Sequence, residues 1–210
     1  MKLFEFLARG GILMIPIGLA SMAGLALVLE RLFAIRRSII IPEDLKKRLR
    51  KSVQDGDLEN ARRITENHSS PLGRLASKLF ENDEIQERSE LKEILEERGR
   101  KEVHHLNRNV EIIGVIAAVT PLMGLLGTVT GMISVFRNVM NQVSSRGVNP
   151  ALLASGIWEA LITTAAGLSV AIPLYLAYRY LSSRSETLVI DLEEEVQHLT
   201  DAMLKQGSVK

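Results

Sequence analysis

The chain has 210 residues, 46% of them hydrophobic, with 26 basic and 25 acidic side chains and no cysteine. The near-neutral charge balance argues against a nucleic acid or another polyanion as partner. The lack of cysteine excludes disulfides, thiolate metal sites and thiol catalysis, and leaves the compartment open.

The apolar residues gather in three blocks, Gly10–Leu29, Ile112–Phe136 and Pro150–Tyr178. Each is long enough to cross a hydrocarbon core of ~30 Å, which takes roughly 20 helical residues. No alternating apolar pattern calls for strands, so the expected fold class is an all-α membrane protein with three transmembrane helices and long cytoplasmic helical extensions. The expected order is an amino-terminal segment with the first span (1–35), a cytoplasmic helical domain (36–108) and the second span (109–138). A periplasmic loop (139–150), the third span (151–181) and a cytoplasmic amphipathic helix (182–210) follow.

The first span carries Lys2 and Arg9 ahead of an apolar run containing Ala20, Ser21 and Ala23, which imitates a signal peptide. The run continues unbroken to Leu29 and ends in Glu30-Arg31, with Arg36-Arg37 beyond, so a retained helix is expected. Most basic residues lie between Arg31 and Arg108, whereas the connection between spans two and three holds only Arg137 and Arg146. Basic residues stay in the cytoplasm, which places the amino terminus outside and the carboxyl tail inside.

Within the middle segment, Pro42-Glu43-Asp44 is a helix start, with proline near the first turn and acids at the positive end. Leu45, Leu49 and Val53 follow at four-residue spacing. Asp55-Gly56-Asp57 interrupts, with Asp57 placed to cap a second short helix, and Ser69-Ser70-Pro71 opens a third. From about Ile85, Leu91, Leu95, Val103, Leu106, Val110 and Ile113 predict one long helix rising into the second span. After the third span, Leu188, Leu192, Val196, Leu199 and Met203 form a near-heptad seam, with Glu193-Glu194-Glu195 expected mainly on the opposite side. That seam fits either packing on the chain's own helical bundle or self-association.

Glu159 is the only side chain charged at neutral pH inside the three apolar blocks. A carboxylate at membrane depth costs on the order of 2.5–3.5 kcal/mol, so such a residue is by default functional. On the second span, Thr120, Gly124, Gly127, Thr128, Gly131 and Ser134 fall mostly on one face; on the third, Gly156, Glu159, Thr163, Ala166 and Gly167 form a counterpart. Small residues let helices approach closely in lipid, which accounts for the glycines but not for Glu159. Counting inward from the span ends puts Thr128 and Glu159 at similar depth, with Thr164 one to two turns deeper. On a helical wheel Thr163 shares the Glu159 face more closely than Thr164 does.

No catalytic residue or metal site emerges. His104 and His105 are adjacent and diverge on a helix, His68 and His198 are distant, and Gly124-x-x-Gly127 lacks the lysine of a phosphate loop. The protein is therefore not expected to be an enzyme, and no cofactor is expected.

The segments Thr120–Phe136 and Ile157–Pro173 resemble the second- and third-span signatures of the MotA/TolQ/ExbB family, nearest its ExbB/TolQ branch. Gly56–Ala61 and Ser70-Pro71-Leu72 match its cytoplasmic pattern, so the resemblance covers almost the whole chain. It implies a bacterial inner-membrane homopentamer, in contact with membrane lipid, whose second and third helices line a central pore. Two copies of an ExbD/TolR-like single-span protein would occupy that pore, and proton flow would energise a TonB- or TolA-like protein. By motif, the resemblance assigns Thr128, Glu159 and Thr164 to the ion path, where the wheel prefers Thr163, and matches Pro121 and Pro173 to the family's span prolines; Thr163 and Thr120 are expected to line the same path. Sodium in place of the proton, and a non-conducting helical membrane scaffold, are the alternatives.

Overall fold

The computed structural model describes residues 11–66, 68–81, 88–142 and 150–207. Lys2, Arg9, Ile85 and Arg146 lie outside the described residues, as do the side chains of Leu91, Leu95, Val103 and Leu106. Among the described residues the protein is entirely helical, with α1 Met14–Ala34, α2 Arg37–Ile40, α3 Glu43–Gln54, α4 Leu58–Glu66, α5 Pro71–Glu81, α6 Arg88–Gln142 and α7 Pro150–Gly207. Three of these, α1, α6 and α7, contain stretches long and apolar enough to cross a membrane. The expected class, an all-α membrane protein with three spanning helices, is therefore observed. Both long helices run through a proline, Pro121 in α6 and Pro173 in α7.

The chain divides into two compact units, one of residues 1–30 and 110–180 and the other of residues 31–109 and 181–210. In the first, α1 packs on α7 where Gly24 meets Leu174. Helices α6 and α7 meet along small residues, and most of the large apolar side chains, among them Leu122, Leu125, Ile133, Leu161 and Ile172, are exposed on the outside. That is the reverse of a water-soluble bundle, where such side chains fill the core, and it suits a surrounding of lipid or of further copies.

The second unit is built like a soluble domain. Helix α3 starts after Pro42 with Glu43 and Asp44 in its first turn. It ends in a Schellman motif: Gly56 N–H donates to Val53 O, Asp57 N–H donates to Ser52 O, and Gly56 takes φ +75°. Asp57 then caps α4 by accepting from Asn60 N–H at 3.0 Å, and Ser70 caps α5 by accepting from Gly73 N–H at 3.1 Å. Leu45, Leu49, Val53, Leu72, Leu75 and Leu79 are buried in one core. Leu188, Leu192, Val196 and Leu199 are buried within the chain itself, and Met203 is half-buried. Packing on the chain's own bundle therefore accounts for the seam.

The acidic triplet departs from expectation. Glu193 and Glu194 are exposed, but Glu195 is only 3% exposed and turns onto α3. Its carboxylate accepts from Arg50 Nε at 2.6 Å and Arg50 Nη2 at 2.7 Å, with Lys46 Nζ also at 2.7 Å. Being three residues past Leu192 and one before Val196, it belongs to the seam rather than to the opposite side. Burial alone would push its carboxyl up, but hydrogen bonds from Arg50 and Lys46, and then their charges, outweigh that and hold it below its ordinary value. The Arg50 guanidinium is raised in turn, chiefly by its hydrogen bond to Glu195.

A group whose carboxyl is lowered by folding adds stability above its unfolded pKa of about 4.3, and that contribution is lost as pH falls through the folded value. Glu195→Gln should cost about 1–3 kcal/mol at neutral pH through the lost charge-assisted bonds. The gap to the parent should narrow steadily below about pH 4. Denaturation of both proteins in mild detergent across a pH series reads this directly; equal stability at neutral pH would mean the cluster contributes nothing.

Candidate ion-path site

The first unit places the residues singled out in spans two and three. Helices α6 and α7 approach backbone to backbone. A methyl on Gly124 would stand 3.1 Å from both Thr163 O and Thr164 Cα, and one on Gly167 would stand 3.0 Å from Thr120 O. Gly131 faces Ala160, Gly127 would collide with the Thr163 side chain, and Gly156 lies against Val135. These pairings fix an antiparallel register in which residue numbers on the two helices run in opposite directions.

That register corrects the depth estimate. Ala160 lies against Gly131, so Glu159 is roughly 5 Å nearer the 143–149 connection than Thr128, at 1.5 Å per residue. Thr164 lies against Gly124, one turn from Thr128 in the opposite direction, or about 6 Å. Glu159, Thr128 and Thr164 are thus three steps along the helix pair, each about one turn from the next. Counting from span ends failed because the two ends are not level: α6 runs on to Gln142, past the Phe136 end of its apolar block, whereas α7 begins with its block at Pro150.

The hydroxyls are engaged in different ways. Thr164 Oγ1 donates across the interface to Gly124 O at 2.9 Å and is half-buried. Thr163 is buried at 1% exposure and donates to Glu159 O of its own helix at 2.9 Å. Thr120 is fully buried and donates to Ile116 O; Thr128 is half-buried and donates to Leu125 O.

Glu159 is exposed in the single chain and lines a recess of about 260 Å³. With it stand Thr130, Ser134 and Asn138 of α6 and Ser155 and Thr163 of α7. Residues 11–13, just before α1, close one side, where Gly11, at φ +71°, lies against the Glu159 carboxylate. Thr128 and Thr164 do not line this recess, so the structure joins Glu159 to Thr163 and sets the other two apart. Thr130, Asn138 and Ser155 were not picked out from sequence. Their four-residue spacing to Ser134 and to Glu159 was the available signal, weakened by the masking apolar residues between them.

The family model of the MotA/TolQ/ExbB proton channel family matches residues 43–194, and the chain belongs to that family. It is 38% identical over 184 residues to the ExbB-like 1 biopolymer transport protein of Synechocystis sp., covering 87% of this chain and 71% of that one. It is 26% identical over 196 residues to the biopolymer transport protein exbB1 of Vibrio cholerae, covering 90% and 83% respectively. The Tol-Pal system protein TolQ of Haemophilus influenzae is 34% identical over 107 residues, 51% of this chain and 46% of that protein. The protein is a multi-pass inner-membrane subunit of the ExbB/TolQ kind, a channel-family component and not an enzyme.

Close backbone contact makes a specific demand. Gly124→Val and Gly167→Val should each cost about 1–3 kcal/mol or more by overpacking, whereas Gly18→Val, whose Cβ meets nothing within 4 Å, should be nearly neutral. Thr164→Val should lose about 1 kcal/mol with its interhelical hydrogen bond. Thermal unfolding in detergent compares the four; equal loss at Gly18 and Gly124 would contradict the packing described.

Proposed function

We propose that this protein is the channel subunit of an ExbB–ExbD (TolQ–TolR) type motor that uses the proton motive force to energise a TonB- or TolA-like envelope-spanning partner. The observation that carries the reading is a single membrane-depth acid set among hydroxyls on the paired helices of a proton-channel-family chain. One charge crossing 100 mV is worth about 2.3 kcal/mol, so a group that gains and loses a proton within the field converts the potential into motion. The chain offers one such group and no second acid further along the spans.

On this reading a homopentamer encloses a pore holding two ExbD/TolR-like single-span chains. The half-buried Thr128 and Thr164 edge faces that pore, and Glu159 feeds or tunes the proton path beside it, in a bacterial inner membrane. Thr163 and Thr120, fully engaged between α6 and α7, act in packing. The amino terminus is periplasmic and the carboxyl terminus cytoplasmic, as the basic residues direct. The transported ion is H⁺; the same hydroxyls would serve Na⁺ in a sodium-driven relative.

A non-conducting scaffold draws on one observation, that Thr163 and Thr164 both have structural hydrogen bonds. Co-purification with a neighbouring single-span protein, native mass measurement and proton-flux assays in vesicles separate the two. Glu159→Gln is expected to assemble normally and to lose flux by about a hundredfold, as removal of a proton-transfer group does. Full flux in that variant would remove Glu159 from the mechanism, and a failure to assemble with flux per complex intact would favour the scaffold.

A further inference from the structure

The faces of α6 and α7 turned away from their mutual contact each carry an apolar stripe that ends in one charge. Gly124 and Gly167 mark the contact itself. At roughly 100° per residue, Glu111 lies about 140° around α6 from Gly124, and Arg179 lies about 120° around α7 from Gly167. Leu122, Leu125 and Val129 share the Glu111 side of α6, and Leu161, Leu168 and Ile172 share the Arg179 side of α7. All are exposed in the single chain, as are the two charged residues. The Tyr178 ring stands against Gly114, so Arg179 is level with position 113 and Glu111 is about 3 Å from that level, at 1.5 Å per residue. Among the described residues neither charge has an ion pair or hydrogen bond within its own chain. Nor does the first span cover them: Gly24 meets Leu174 and Gly11 meets Glu159, about 140° and 160° around α7 from Arg179.

A phospholipid headgroup would satisfy Arg179 but repel Glu111, whereas a second copy of this chain satisfies both. Copies inserted in the same direction hold every Glu111 and Arg179 near one level. Contact between two α6 stripes sets Glu111 against Glu111, and contact between two α7 stripes sets Arg179 against Arg179. Only α6 against α7 brings opposite charges together, and a head-to-tail contact of that kind can close into a ring. Lipid matches the apolar stripes as well as protein does, so the charges decide which faces meet. We infer that copies of this protein join head to tail through these faces, the α6 stripe of one against the α7 stripe of the next, with Glu111 of one copy paired to Arg179 of its neighbour. The inference rests on the oligomeric reading above and adds to it the two faces and the ion pair that select their order. Both charges turn to the side of the helix pair that carries Thr128 and Thr164, at the end of the spans away from the 143–149 connection.

The absence of native cysteine makes a direct test available. Two differently tagged full chains, one carrying Glu111→Cys and the other Arg179→Cys, are co-expressed and oxidised in the membrane with copper phenanthroline. A disulfide requires Cα atoms within about 7 Å, so only true neighbours are joined. The mixed pair should dominate the cross-linked dimers, with either cysteine joined to its own kind nearly absent. In a second arm, Glu111→Arg and Arg179→Glu should each raise the concentration at which the assembly half-dissociates by about tenfold or more, since each sets like charges together. The double reversal should restore the parent's value, read by native mass measurement over a dilution series. Helical content equal to the parent's shows that a variant is folded. Where a reversal does not fold, Glu111→Gln and Arg179→Gln replace it, and their double variant should lose no more than either alone. Self-paired cysteines as abundant as mixed ones, no cross-link in any combination, or double variants that merely add the two losses would each overturn the inference. Proton flux is read separately: mixed cross-links in a silent complex count against the motor reading alone, and flux with self-paired cross-links counts against this inference alone.

Discussion

The arrangement of the membrane unit depends on the bare backbone contact between α6 and α7. At Gly124 and Gly167 each helix lies against the other's main chain, with hypothetical methyl groups about 3 Å from carbonyl oxygens. In lipid there is no solvent to drive apolar side chains together, so close packing and hydrogen bonds must hold such a pair. Thr164 supplies a bond to Gly124 O at the closest point, made possible because glycine admits the hydroxyl to the main chain. Every other polar position on the two helices inherits its place from that register.

One consequence is a division of labour around the helix pair. Residues at the centre of the contact, Thr120 and Thr163, are buried and serve the fold. Thr128 and Thr164 are left half-buried, and Glu159 is left in a polar recess with residues 11–13. On the proposed reading, a single acid need not stand on the same face as the threonines to take part in the same ion path.

The second unit solves a different problem by different means. Its helices carry conventional caps, a Schellman turn and a leucine core, and it buries one carboxylate among two cations. A buried ion pair is weak evidence for stability, since desolvation opposes the Coulomb gain, but it fixes registry strongly. Glu195 can accept Arg50 and Lys46 together only at one relative setting of α7 and α3, which apolar contacts alone would leave freer to slide. The membrane unit gets the same precision from glycine contacts, where charge would be too costly.

Much of this was legible in the chain. Apolar block length determined three spans because the bilayer has a fixed thickness, and Pro42, Asp57 and Ser70-Pro71 determined helix starts because caps are local chemistry. The isolation of Glu159 among apolar residues likewise needed no fold to be seen. Only the tertiary structure decided which neighbours those residues meet. It moved Glu159 and Thr128 about one turn apart, because register follows glycine contacts and not span ends. It gave Glu195 its partners: spacing to Leu192 and Val196 puts the residue on the seam, but Arg50 lies 145 residues away in the chain and no local pattern announces it or Lys46. It gathered Thr130, Asn138 and Ser155 around one acid, because a cavity is a property of two helices and the 11–13 segment at once.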